Sequence, residues 1–243
     1  MGLLTHTADA KRSRAVTLRA PIRAVLFDLD GVLLDTEPLY TVGIQEVVSE
    51  FGHVYDWSLK RDMMGRSDLE GAELVVSRLK LPITPAEYMA RREPIMERLL
   101  ATSPIMNGAR ELVEELAARK VPLALATSSR TRLYEIKARP HAWLGAFKHI
   151  VCGDDPEVKQ LKPAPDIFLV AASRLGVAAE LCAVVEDSPA GVLAAQRAGM
   201  QVAALPDPAL DSDIVRSADL VATSHAEIRD ALFAALGENL GNN

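Results

Sequence analysis

The sequence predicts an α/β fold: a doubly wound parallel sheet with an all-helical segment inserted after its first strand. Two observations predict it. Short apolar, β-branched runs alternate with helical patterns over most of the chain, and between residues 37 and 106 that alternation gives way to helical periodicity alone. At 243 residues the chain has room for a core of about 150 residues and a smaller inserted unit.

Residues 1–20 carry Lys11, Arg12, Arg14 and Arg19 against the single acid Asp9. They read as a disordered tail, with a weak likeness to an organelle transit segment. After Pro21, the run from Ile22 to Phe27 reads as a buried strand ending at Asp28. Further strands are expected at Pro122–Thr127, His149–Cys152, Cys182–Val185 and Gln201–Leu205, with helical patterns at Ala109–Lys120 and Pro165–Leu175. The α/β core is therefore expected over 21–36 and 107–243. Residues 37–106 show helical spacing at Val42–Phe51, Leu69–Leu79 and Pro85–Leu100, between turn-rich borders at Asp35-Thr36-Glu37-Pro38 and Ser103-Pro104. Two chain crossings beside the end of strand one would let this segment hinge over it.

Composition narrows the class of function. Hydrophobic residues at 49% and charged ones at 25% are ordinary globular usage, which argues against a disordered or coiled-coil chain. A net charge of −6 opposes nucleic-acid binding and gives no reason to expect a membrane surface. Cys152 and Cys182 each sit in an apolar run, so no disulfide framework is indicated and a reducing, cytoplasmic setting fits. No apolar stretch reaches the roughly 18 to 20 residues of a membrane helix, and no continuous apolar leader precedes the first strand. A monomer acting on a small molecule is the expectation.

The chemistry gathers at strand ends. In Asp28-Leu29-Asp30-Gly31 the two carboxylates lie two residues apart, so an extended chain presents both on one side at the carboxyl end of strand one, where open α/β sheets bind ligands. Taken alone, the pair equally suits a decorated turn. Strand two ends in Thr127-Ser128-Ser129, hydroxyls and N–H groups suited to phosphate oxygens, or to simple capping by Ser129 or Thr131. Lys162 precedes two prolines and a helix start that could hold its ammonium in a fixed place, with an ordinary solvated surface lysine as the alternative. Glu186-Asp187-Ser188 closes another strand before Pro189 opens a helix, with Asp187 or Ser188 as the alternative cap. Nucleophile, hydroxyl, cation and metal-type carboxylates thus fall on four separate strand-end or helix-start segments.

Phe27-Asp28-Leu29-Asp30-Gly31, Thr127-Ser128-Ser129, Lys162-Pro163 and Glu186-Asp187-Ser188 resemble the four signature motifs of the haloacid dehalogenase superfamily, and the resemblance covers nearly everything after Pro21. It implies a Rossmann-like core, a magnesium ion and phosphoryl transfer to an aspartate. Asp28 would be the nucleophile, Asp30 the general acid and base, and Thr127, Ser128 and Lys162 the phosphate contacts. Asp28, Asp187 and the backbone of Asp30 would hold the metal, with Glu186 reaching it directly or through water. Members that displace halide lack the second Asp, so Asp30 argues for phosphatase chemistry.

The helical segment is similar to the cap of the branch that holds sugar-phosphate phosphatases and β-phosphoglucomutase. Mutases of that branch carry a cap histidine where this chain has Tyr40, which favours hydrolysis over a hexose-phosphate mutase reaction. A non-catalytic binding protein on this fold is disfavoured because all five motif positions, Asp28, Asp30, Thr127, Lys162 and Asp187, are intact. Asp35-Thr36-Glu37-Pro38-Leu39-Tyr40, Met63-Met64-Gly65-Arg66 and Gly153-Asp154-Asp155-Pro156 resemble the pseudouridine-5′-phosphatase and glycerol-phosphate phosphatase group, and Asp56-Trp57-Ser58-Leu59-Lys60 leans to the glycerol-phosphate side. Glu37 and Arg66 are the candidate contacts to the remainder of the substrate, and Arg66 equally suits a surface arginine paired with Asp62 or Asp68. One departure stands out. Relatives carry Gly before the motif lysine and this chain has Leu161; if that Gly serves a positive φ, the loop holding Lys162 is reshaped here.

Overall fold

The structure, a computed structural model, describes residues 17–63, 68–207 and 212–236. Its sheet is built from β1 (Ala24–Phe27), β2 (Leu123–Thr127), β3 (His149–Cys152), β4 (Cys182–Glu186), β5 (Gln201–Ala204) and β6 (Leu220–Val221). All five pairings are parallel, in the order β3-β2-β1-β4-β5-β6. Alternate residues of a strand enter two different cores. Val25 and Phe27 pack on one face with Leu112, Leu116 and Ile228, and Ala24 and Leu26 pack on the other with Ile167, Phe168 and Val192. Strands buried on both faces need apolar runs without alternation, which is how these read in the sequence.

Four helices follow β1: α1 (Glu37–Ser49), α2 (Trp57–Met63), α3 (Asp68–Leu79) and α4 (Pro85–Leu100). They enclose a separate apolar cluster of Ile44, Val47, Val48, Leu59, Ala72, Val75, Leu81 and Tyr88. The chain then continues through α5 (Ala109–Ala118), α6 (Thr131–Ala138), α7 (Asp166–Leu175), α8 (Pro189–Arg197) and α9 (His225–Leu236). α4 starts with a capping box, in which Thr84 Oγ1 accepts from Glu87 N and the Glu87 carboxylate accepts from Thr84 N, with Pro85 beside it. Such a cap contributes about 1 kcal/mol.

Two segments differ from what the sequence predicts. α1 begins at Glu37 and not Val42, because Pro38 suits the first turn and the apolar periodicity starts only one turn later. Residues 1–16 of the expected tail lie outside the described residues, but 17–20 are not free. Leu18 is buried, and the backbone of Arg19 exchanges hydrogen bonds of 2.6 and 2.8 Å with the Gln201 side chain.

The two crossings between the sheet and the four helices run side by side. Asp35 N donates to Pro104 O at 2.9 Å and Met106 N to Leu33 O at 3.0 Å. His225, from the start of α9, reaches under both, its ring nitrogens 2.8 Å from Val32 O and 2.9 Å from Asn107 O.

Candidate active site

The strand order reverses at β1, which has β2 on one side and β4 on the other, and the crevice at such a reversal is where doubly wound sheets take ligands. β1 pairs Phe27 with Val185 of β4, and Asp28 N donates to Val185 O at 3.0 Å, so Asp28 leaves the sheet level with Glu186. Gly31, with φ +76°, then turns the chain back, and a Cβ there would overlap Asp187 Oδ2. Only glycine meets both demands, the left-handed backbone and the close approach.

Lys162 Nζ sits between two of these acids, 2.5 Å from Asp28 Oδ1 and 2.6 Å from Glu186 Oε1, with Ala126 O at 3.1 Å. Leu161 does not disturb this. The non-glycine residues with positive φ among the described ones are Lys80 and Lys120, so Leu161 is not forced into that region, and Lys162 reaches both carboxylates.

Glu186 is wholly buried, and its other oxygen accepts from Asp187 N at 2.9 Å and from Ser188 N and Oγ at 3.0 Å. A Cβ on Gly191 would overlap this carboxylate, so α8 begins tight against it. Ser188 is also the N-cap of α8, accepting from Gly191 N at 3.0 Å. Asp187 is thereby left out of the capping.

The electrostatics follow from three carboxylates sharing one ammonium. Burial raises the pKa of Asp28 to about 7, with repulsion from Glu186 and Asp30 adding to it and Lys162 only partly offsetting it. Asp187 is pushed well above the usual carboxylate range by burial and by repulsion from Glu186 and Asp28. Burial alone would raise Glu186 too, but Lys162 and the Ser188 donors pull it below its ordinary value.

Asp30 has a different environment. Lys137 Nζ donates to its Oδ1 at 2.7 Å and its Oδ2 at 2.6 Å, Thr36 Oγ1 donates to Oδ1 at 2.7 Å, and Ser129 Oγ lies 3.0 Å from Oδ2. Burial is the largest influence and would raise its pKa, yet the Lys137 ammonium and these hydroxyls together hold it below the ordinary value.

Sequence reasoning missed Lys137. It lies in α6 three residues after Tyr134, which packs against the core, so a lysine at an inward-facing position was the available signal.

Thr127 ends β2 fully buried, and Ser128, next to it, is exposed. The helix that follows is capped from elsewhere, with Asp154 Oδ1 accepting from Thr131 N at 2.9 Å and Oγ1 at 2.8 Å. Ser129 is thus free to serve Asp30 in place of a helix end.

Glu37 opens α1 and pairs with Lys60 of α2 at 3.1 Å. Tyr40, on the same helix, has its phenol pKa raised well above normal by burial, with Asp30, Asp68 and Glu37 adding to it and Arg92 opposing. Arg66 lies outside the described residues, as do Met64 and Gly65.

A family model of haloacid dehalogenase-like hydrolases matches residues 22–199. The chain belongs to that family. As a haloacid dehalogenase-like hydrolase it is similar to (DL)-glycerol-3-phosphatase 2 of Arabidopsis thaliana, 42% identical over 217 residues covering 87% of this chain and 90% of that one. It is also 42% identical over 212 residues to a probable pseudouridine-5′-phosphatase of Drosophila melanogaster, covering 86% and 92% of the two chains. Among solved structures, a haloacid dehalogenase family hydrolase from Deinococcus radiodurans R1, with bound phosphate and sodium, matches at a TM-score of 0.74 and 31% identity over 89% of this chain and 97% of that one. The enzyme is a phosphatase, a phosphoric monoester hydrolase. Among the described residues no helix is long and apolar enough to cross a membrane.

Proposed function

We propose that this phosphatase hydrolyses a small, sugar-like phosphomonoester by way of a phosphoryl group carried on Asp28. The observation that carries the reading is the placement of Asp28 against Lys162 at the carboxyl end of the central strand, with Asp30 two residues on.

In the first half-reaction a carboxylate oxygen of Asp28 attacks phosphorus. The bond from phosphorus to the ester oxygen breaks, and Asp30 passes to the leaving alkoxide a proton that it must first take up from solvent as substrate binds, because its carboxyl is held below the ordinary pKa in the free enzyme. In the second half, Asp30 takes a proton from water as the water oxygen attacks phosphorus and the bond to Asp28 breaks. One ester and one water become one alcohol and one phosphate. Lys162, with Thr127 and Ser128 at the end of β2, offsets the charge of the transferring group, which would otherwise repel an anionic nucleophile.

A magnesium ion fits the residues present. The two acids that Lys162 leaves undercompensated, Asp28 and Asp187, both have raised pKa values, which is excess negative charge that a hard cation relieves. Among the described residues no group of three or more acidic, histidine or cysteine side chains is placed to hold a metal ion by itself. The fit therefore rests on Asp28, Asp187 and the Asp30 carbonyl, with water completing the shell as magnesium prefers. Glu186, whose oxygens are occupied by Lys162 and by the start of α8, is better suited to holding Lys162 than to direct ligation. When bound, the ion supplies charge neutralisation between nucleophile and phosphate.

In this reading α1 to α4 form a cap over the strand ends, and Glu37 and Arg66 are its candidate contacts to the leaving group. Glycerol-3-phosphate and pseudouridine-5′-phosphate, acted on by the relatives named above, are the leading substrates. Tyr40 supports hydrolysis over a mutase reaction, since a phenol kept neutral well past physiological pH is a poor proton carrier. The setting is read as cytoplasmic and the enzyme as a monomer.

The test is phosphate release from glycerol-3-phosphate, pseudouridine-5′-phosphate, 2-deoxyglucose-6-phosphate and phosphoglycolate, with magnesium and with chelator. Release that depends on magnesium supports the reading, and undiminished release in chelator contradicts it.

A further inference from the structure

The side chain of Lys137 is wholly buried in α6 and its three donor positions are spent on two neighbours. Two bonds go to the oxygens of Asp30, at 2.7 and 2.6 Å, and one to Ser129 Oγ at 2.7 Å. Burying a lysine costs several kcal/mol unless it is paired, and an apolar residue of similar size would usually serve packing at least as well. With all three donors taken by Asp30 and Ser129, Lys137 has none left for a phosphate and acts only through the groups it holds. Those groups grip one carboxylate from three separate elements: α6 through Lys137, the end of β2 through Ser129, and the N-cap of α1 through Thr36. Four contacts from three directions fix the carboxylate's rotation.

We propose that Lys137 is a positioning residue for the phosphatase reaction, holding the Asp30 carboxylate in the place from which it exchanges protons with the leaving alcohol and with water. Its role presupposes that Asp30 is the proton carrier proposed above. A misplacement of about 1 Å at such a group lowers rates about a hundredfold.

The experiment uses leaving groups of different basicity. p-Nitrophenolate departs without a proton, whereas an alkoxide needs one. In Lys137→Met, turnover of the fastest alkyl phosphomonoester in the panel falls about a hundredfold or more, with KM within about threefold of the parent. The pre-steady-state burst of nitrophenolate from p-nitrophenyl phosphate keeps its rate to within about threefold, while the following steady state slows, because water attack still needs Asp30. Lys137→Arg, which keeps the cation, recovers part of the alkyl-ester turnover. In an Asp30→Asn background, Lys137→Met adds no further loss. That charge-neutral double variant carries the test if the single Met variant does not fold. Burst and alkyl-ester rates falling equally, parental rates throughout, or an additive loss in the Asn background would each overturn the role given to Lys137. Parental alkyl-ester turnover in Asp30→Asn alone would instead overturn the assignment of Asp30, a separate failure.

Discussion

Asp187 lies so close over Gly31 that its Oδ2 fills the space a side chain at position 31 would need. The turn that follows the nucleophile strand and the acid that ends the neighbouring strand therefore fit as one piece. Gly31→Ala is expected to strain the backbone at φ +76° and to push Asp187 aside. It should destabilise the fold by about 1 kcal/mol or more and weaken magnesium binding about tenfold, read by urea denaturation and by magnesium titration of the melting temperature.

Asp28 carries a pKa of about 7 against an ordinary 3.8, raised mainly by burial. Between those values the native state holds a proton that the unfolded chain has released, so the stability of the metal-free protein falls as pH rises across that window. Asp28→Asn removes the effect. In chelator the variant should melt above the parent at pH 8, by about 2–4 °C per kcal/mol of relief, and the gap should shrink at pH 5. Added magnesium should raise the parent's melting temperature more than the variant's at pH 8. A gap that widens toward acid would contradict the sign.

His225 joins both crossings between the sheet and the four helices through Val32 O and Asn107 O. The ring's pKa is lowered by burial, so the neutral imidazole donates to one of the two carbonyls; His225→Ala removes that bond and the packing around it, and the expected loss is about 1–3 kcal/mol, measured as a lowered urea midpoint. Since the ring touches no group assigned to the chemistry, KM and kcat of the folded fraction should change little.

Tyr40 predicts hydrolysis in place of isomerisation. Supplied with β-glucose-1-phosphate, the enzyme should release any phosphate it removes into solution, with no glucose-6-phosphate formed, as followed by a coupled dehydrogenase assay. Accumulation of glucose-6-phosphate would favour the mutase reading.

How much was legible in the sequence depended on how local the signal was. β1 to β5 could be read because strands buried on both faces are short continuous apolar runs. α2 was not, being seven residues long, although Asp56 accepting from Leu59 N at 2.9 Å is a start signal visible in hindsight. β6 has two residues and pairs only with β5, too short for any period, and α9 went unmarked beyond it.

The candidate residues Asp28, Asp30, Thr127, Lys162 and Asp187 could be singled out because each sits at the end of a strand or shortly before a helix. Lys137 was not. Its partner is 107 positions away and its burial is a property of the fold, so its only local trace was a cation at an inward-facing helix position. The pairing of Glu186 with Lys162 was hidden for the same reason, and a metal-type acid turned out to be occupied by an ammonium and a helix start.

The central claim is that Asp28 carries the phosphoryl group. The most direct measurement is acid quench during turnover with magnesium, followed by proteolysis and mass spectrometry of the peptide that spans β1. The account predicts one phosphoryl group on Asp28, present during turnover, absent once substrate is exhausted and absent in Asp28→Asn. Turnover without any phosphorylated peptide, or a phosphoryl group on another residue, would contradict it.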